Sequence, residues 1–135
     1  MAEKFEFRGK SLEELKDISL KDFSKLITAR PRRSLSRGLT DLQKRLLEKV
    51  KKERAKIDAG KEPKTIRTHC RDMVIVPVMI GLTIAVYNGK EFVDVEMSPD
   101  KLGHFLGEFT YNRNRVQHSS PGVGATRGSI FVPTK

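Results

Sequence analysis

Leu82-Thr83-Ile84-Ala85-Val86-Tyr87, Asn88-Gly89, Lys90-Glu91-Phe92-Val93-Asp94-Val95-Glu96-Met97 is the stretch whose reading decides the fold. Two alternating runs flank the dipeptide that favours a type I′ turn, so the segment predicts a β-hairpin. A two-residue turn pairs Tyr87 with Lys90, Val86 with Glu91, Ile84 with Val93 and Leu82 with Val95. Leu82, Ile84, Val86, Val93 and Val95 then share one face, and that face needs helices over it.

Toward the N-terminus, Met73-Val74-Ile75-Val76 is a short β-branched run ended by Pro77, which predicts a buried third strand. Toward the C-terminus, Ser98 as cap and Pro99 at the first position open a short helix through Leu102, Phe105, Leu106 and Phe109. Gly103 and Gly107, four apart, would let it lie close to the sheet or to RNA. Further out, Thr40 and Gln43 form a capping box before Leu42, Leu46, Leu47 and Val50, with Gly60 as the stop. Pro31 and Gly38 make residues 30–39 a basic loop. Ser11 with Glu14, and then Ser19, start two short helices within 10–27. The class is α+β: a small three-stranded sheet with an Asn-Gly hairpin packed by helices. Residues 1–29 form an N-terminal helical arm, 30–112 the core, and 113–135 an extended basic tail whose Gly, Pro and Ser content builds no core.

Charge points to the partner. Of 27 Lys and Arg, fourteen fall between Arg30 and Arg67 against five acids, so this third of the chain carries +9 of the net +10. Residues 110–135 add four bases and no acid. Such zoning suits a polyanion, because each neutralised phosphate releases condensed counterions. On the helix after Thr40, Lys44, Arg45, Lys49, Lys51 and Lys52 face away from the leucines. Glu48 with Lys52 supplies an i,i+4 pair, but acids are too few to balance that face, which predicts nucleic-acid contact.

Other functions find little support. No stretch approaches the roughly 18 apolar residues of a membrane span, and no signal core or lipidation box stands at either end. The expectation is a soluble intracellular protein without a membrane partner. A lone cysteine, Cys70, forms no internal disulfide and no CxxC pair. His69, His104 and His118 are too scattered for a metal site or a nucleophile–base series. His104 suits either a partly buried position or an RNA contact. Asp94, Glu96, Asp100 and Glu108 read as a solvated acidic face or a contact for a basic neighbour, not as paired catalytic carboxylates. The glycines at 122–128 lack the Gly-Lys-Ser/Thr ending of a nucleotide loop. No catalytic residue, metal, cofactor or small-molecule substrate is therefore expected.

Five motifs in order carry a resemblance: Pro-Arg-Arg-Ser-Leu-Ser-Arg-Gly (31–38), Lys-Thr-Ile-Arg-Thr-His-Cys-Arg (64–71), Ile-Gly-Leu-Thr-Ile-Ala-Val-Tyr-Asn-Gly-Lys (80–90), Leu-Gly-His-Phe-Leu-Gly-Glu-Phe (102–109) and Gly-Val-Gly-Ala-Thr-Arg (122–127). Together they resemble the family of ribosomal protein nineteen of the small subunit, in its archaeal and eukaryotic form. The resemblance implies a cytoplasmic, non-catalytic ribosomal component. It implies binding to the 3′ domain of small-subunit rRNA in the head, beside ribosomal protein thirteen and other head proteins, with the tail near the decoding region and A-site tRNA. Carried over as rRNA contacts are Arg32, Arg33, Arg37, Arg67, His69, Arg71, Lys90, His104, Arg113 and Arg115. Arg30, Lys64 and His118 join that set, and Arg115 and Arg127 are the tail contacts near the decoding region. The rival expectation is a free-standing nucleic-acid-binding regulatory protein, which would be a symmetric oligomer reading base edges.

Overall fold

A computed structural model describes residues 5–120 and residue 122. Arg127 and most of the tail lie outside the described residues. The elements are β1 (Glu6–Phe7), β2 (Lys10–Ser11), α1 (Leu12–Asp17), α2 (Leu20–Leu26), α3 (Ala29–Ser36), α4 (Asp41–Asp58), β3 (Ile66–Thr68), β4 (Thr83–Tyr87) and β5 (Phe92–Glu96). Three 3₁₀ turns complete them, at Pro77–Met79, Pro99–Lys101 and Leu106–Phe109. The class is α+β, with β3-β4-β5 as the principal sheet and β1-β2 as a two-stranded ribbon.

Both N-terminal helices start at their expected caps. Ser11 and Glu14 close a capping box, and the Ser19 side chain accepts from the Asp22 N–H. Leu15 and Phe23 are 1% exposed and join Ile27 in the main core. Burial on that scale contributes about 1.5–3 kcal/mol per large side chain, so these helices are tied to the sheet domain by packing. At α4, Thr40 and Gln43 form the expected box, and Leu46 and Val50 are buried while Leu42 stays exposed. Gly60, at φ +73°, ends the helix: its N–H donates to Ile57 O and that of Lys61 to Lys56 O. These two bonds cap the carbonyls that the last turn leaves open.

Four expectations are corrected. In place of the loop expected over residues 30–39, Ala29–Ser36 is helix α3. Pro31 occupies its first turn, where an N–H would have no intrahelical partner, and Gly38 at φ +93° closes the other end. The third strand is β3, parallel to β4 in the register Ile66↔Ile84, Arg67↔Ala85, Thr68↔Val86. Met73–Val76 is fully buried, but it joins only one bridge, Val74↔Phe105. A continuous apolar run reports burial without saying which ladder, if any, it joins.

The hairpin register is also displaced. Tyr87 faces Phe92, Val86 faces Val93 and Ile84 faces Val95. Of the turn pair only Gly89 has positive φ, +101°, so the turn is not type I′. Asn88 Oδ1 instead accepts from the N–H groups of Lys90 (2.9 Å) and Glu91 (2.8 Å), building a four-residue loop that sets two aromatic rings in register. Because Ile84 moves by two residues along its partner strand, each side chain keeps its expected face. Finally, 98–109 forms two 3₁₀ turns in place of a helix. Between them the Gly103 N–H donates to Ile75 O and His104 O accepts from the Ile75 N–H, which removes those groups from any helical ladder. Gly103 sits at φ +77°, where an added Cβ would lie 2.9 Å from Ile27 Cγ2, and one on Gly107 would lie 3.0 Å from Arg71 O. Both glycines thus permit close approaches.

Candidate nucleic-acid interface

Helix periodicity sorts the cations of α4. Leu46 and Val50 point into the core, and the remaining turns present Lys44, Arg45, Lys49, Lys51 and Lys52 to solvent. Lys44 pairs with Asp41 at 3.4 Å. Among the described residues no carboxylate lies within 4.0 Å of Arg45, Lys49, Lys51 or Lys52. On α3 and its C-cap, Arg30, Arg33 and Arg37 are likewise exposed, with no acidic partner among the described residues. Lys64 is fixed by its backbone: its N–H donates to Glu53 Oε2 at 2.9 Å, and Lys56 holds the other oxygen at 2.6 Å. The Lys56 hydrogen bond first, and the Lys64 N–H second, hold the Glu53 carboxyl below the usual range. Arg45, Lys49, Arg67 and His69 border one groove between α4 and β3. Its neighbour is bordered by Lys49, Lys52, Lys64 and Arg67.

Two arginines carried over as contacts direct their guanidinium groups to backbone carbonyls of the protein itself. Arg71 donates to Tyr87 O at 2.7 Å, to Gly107 O at 3.1 Å and to Thr110 O. It thereby ties the end of β4 to the last turn and to Thr110, the residue that closes it. Arg32 donates to Ile27 O at 2.9 Å and Ser24 O at 3.3 Å, closing the end of α2. Arg54, which sequence reasoning left aside, acts similarly through Ile80 O at 2.9 Å. Sequence spacing carries no sign of such roles, because the acceptors are backbone carbonyls, which any residue offers, and those of Arg71 and Arg54 are also remote along the chain.

The strand pattern builds a second feature. Ile66, Thr68, Ile84, Val86 and Val95 face the core, while Arg67, Tyr87, Phe92 and Asp94 face away. Ala85, between Arg67 and Asp94 in register, is buried. Just beyond β3, exposed His69 lies 4.6 Å from the Tyr87 ring and 5.2 Å from Phe92, and the two strand rings are 5.2 Å apart. The Arg67 guanidinium is 5.6 Å over the Phe92 ring, and Lys90 is exposed on the adjoining turn. Tyr87 and Phe92 were not singled out from sequence, although their alternation with Val86 and Val93 already put them on the outward face.

His104 is exposed, with Nδ1 2.7 Å from Glu108 Oε2. Arg113, Arg115 and His118 are exposed on an extended segment. Among the described residues, no group of three His, Cys, Asp or Glu gathers to hold a metal, and no helix is long and apolar enough to cross a membrane.

A protein-family profile described as Ribosomal protein S19 matches residues 33–118. Over 131 residues, 97% of this chain, the sequence is 52% identical to small ribosomal subunit protein uS19 of Methanococcus aeolicus, covering 81% of that protein. The protein of the same description from Methanococcus vannielii is 52% identical over the same share of this chain and 82% of its own length. One from Methanococcus maripaludis is 53% identical, with 81% of its length covered.

Proposed function

The chain belongs to the ribosomal protein S19 family, and we infer that this cytoplasmic structural constituent of the small ribosomal subunit, which is not an enzyme, works by neutralising rRNA phosphates from α3, α4 and the approach to β3. The observation that carries this reading is the run of exposed cations without acidic partners among the described residues: Arg30, Arg33, Arg37, Arg45, Lys49, Lys51 and Lys52. Unpaired surface charge repels itself in the free protein and is relieved by a polyanion. Phosphate contacts of this kind fix position and register without reading sequence. Arg67, His69 and Lys90 extend the surface onto the sheet, and His104, Arg113, Arg115 and His118 extend it toward the tail. Arg32 and Arg71 serve it by positioning the elements that carry it.

The finer reading places the protein on the 3′ domain of the rRNA in the subunit head, beside ribosomal protein thirteen, with Arg115 and Arg127 directed toward the decoding region and A-site tRNA. Its support is the motif resemblance together with the acid-free basicity of the tail.

The test is rRNA affinity measured across a salt series. Replacing Arg33, Arg37 and Lys49 together by Ala is expected to flatten the log–log slope by roughly two to three, since each phosphate contact contributes about 0.7–0.9. An unchanged slope with a folded variant removes α3 and α4 from the interface.

A further inference from the structure

The Tyr87 and Phe92 rings on the outer face of the sheet have no task in phosphate neutralisation. We propose that His69, Tyr87 and Phe92, with Arg67, form a stacking platform for an unpaired RNA base. The proposal rests on the reading that the chain binds rRNA and adds to it the state of the RNA, single-stranded or splayed, at this place.

Phe92 is 36% exposed and Tyr87 half-buried, so the strand rings lie on the surface. A cross-strand aromatic pair alone would account for Tyr87 and Phe92, which stand directly opposite one another. It does not account for His69, which lies past the end of β3 and still brings a third ring within 4.6–5.2 Å of both. Nor does it account for Arg67, whose planar guanidinium covers the same ring and is itself a stacking surface. The Tyr87 hydroxyl donates to Gly89 O at 2.9 Å, which fixes that ring against the turn.

Charge selects the occupant. Arg67 and Lys90 flank the rings, and Arg45 and Lys49 stand across the adjoining groove, while Asp94 and Glu91 are the nearby acids of β5 and its turn. An anionic ligand with a flat apolar body fits this combination. A nucleotide has both parts: the base meets the rings and the phosphate meets the cations. In an A-form duplex the bases are stacked on each other and closed to side chains, so the base must come from a loop, bulge or end. Stacking of this type tolerates any base, because each has a π face.

The experiment uses the full chain with a short unstructured RNA strand and with an RNA duplex of the same length, both across a salt series. Phe92→Leu keeps apolar bulk and removes the ring. It is expected to weaken single-strand binding about five- to a hundredfold, corresponding to ~1–3 kcal/mol for one stacked base, with the salt slope and duplex binding unchanged. Phe92→Tyr is expected to restore binding, and ultraviolet irradiation of the parent complex to attach a nucleotide to the peptide carrying Tyr87 and Phe92. His69→Ala, outside the strand, is the second variant should Phe92→Leu unfold, and its several-fold loss is expected to be larger for the single strand than for the duplex, whereas equal losses on both would overturn the platform. Single-strand affinity unchanged in folded variants, with the parent still binding both RNAs, overturns the platform, leaves the rRNA reading standing and assigns the rings to a protein neighbour. A parent that binds neither RNA overturns both.

Discussion

Replacing Arg71 by Ala separates the internal clamp seen in the structure from the rRNA contact that the motif resemblance implies. If the guanidinium is an internal clamp, its loss strands the carbonyls of Tyr87, Gly107 and Thr110. Hydrogen bonds from a charged donor contribute about 1.5–3 kcal/mol each. Arg71 is only partly buried, so water will re-solvate some of these acceptors, and the expected loss is about 3–5 kcal/mol, not the full sum. That is a large share of a typical stability of ~5–15 kcal/mol. Arg71→Lys offers a single ammonium on a flexible stem in place of a fork, and should retain about half of the stabilisation. Urea denaturation of the full chain, followed by circular dichroism, reads the loss as a shifted midpoint at constant m. Affinity for rRNA in a salt series, taken where both variants are folded, should keep the parental slope. A normal midpoint combined with a flattened slope would refute the clamp and return Arg71 to the phosphate contacts.

Gly103→Ala should cost about 2–5 kcal/mol in the same denaturation assay, from a left-handed backbone at φ +77° (~1–2) and overpacking against Ile27 (~1–3); a loss under about 1 kcal/mol would contradict this account. Because the Glu53 carboxyl is held below its ordinary range, its stabilising effect is present above that range and is lost as pH falls through the lowered value. Melting temperatures of the parent and of Glu53→Gln should therefore differ at neutral pH and converge as pH falls through that lowered value, and a gap that persists in stronger acid would show that the charge is not responsible. Truncation after Arg113 should leave the melting transition of the domain and entry into the subunit unchanged while impairing tRNA handling. Failure to assemble would make the tail an rRNA anchor instead.

The parts legible in the sequence are those fixed by local chemistry. Ser11, Ser19 and Thr40 named three helix starts because a capping side chain acts on N–H groups two or three residues away. The hairpin's faces were legible for the same reason, since alternation survives an error of two in pairing. What failed depended on remote partners. Met73–Val76 and Ile66–Thr68 both suit strands, and only the ladder with β4 decides between them. Arg-Pro-Arg-Arg looked like a loop because Pro31 breaks helices generally, yet its cost disappears in a first turn. At the site, the cations of α4 followed from periodicity, whereas the internal contacts of Arg71 depended on carbonyls distant along the chain and those of Arg32 on the way α3 packs back on the end of α2. The aromatic cluster was half visible: Tyr87 and Phe92 follow from the hairpin, but His69 arrives through the parallel strand.

The placement of Leu15, Phe23 and Ile27 in the main core has a consequence for synthesis. Helix α1 packs on the turn at Pro77–Met79, and the same core is completed by Met97 and Leu106. At a translation speed of about 5–20 residues per second, Phe23 precedes Leu106 by on the order of ten seconds. During that interval α2 can meet only α3 and the ring of Phe7, the sheet core that buries Leu15 and Phe23 is missing, and the cationic α3 and α4 emerge beside them. Contacts so distant along the chain also form slowly, because loop closure precedes their reward. The nascent chain is therefore a species at once greasy and cationic, open to aggregation with RNA and with its own copies, and it leaves that state only when the second half of the sheet has been made.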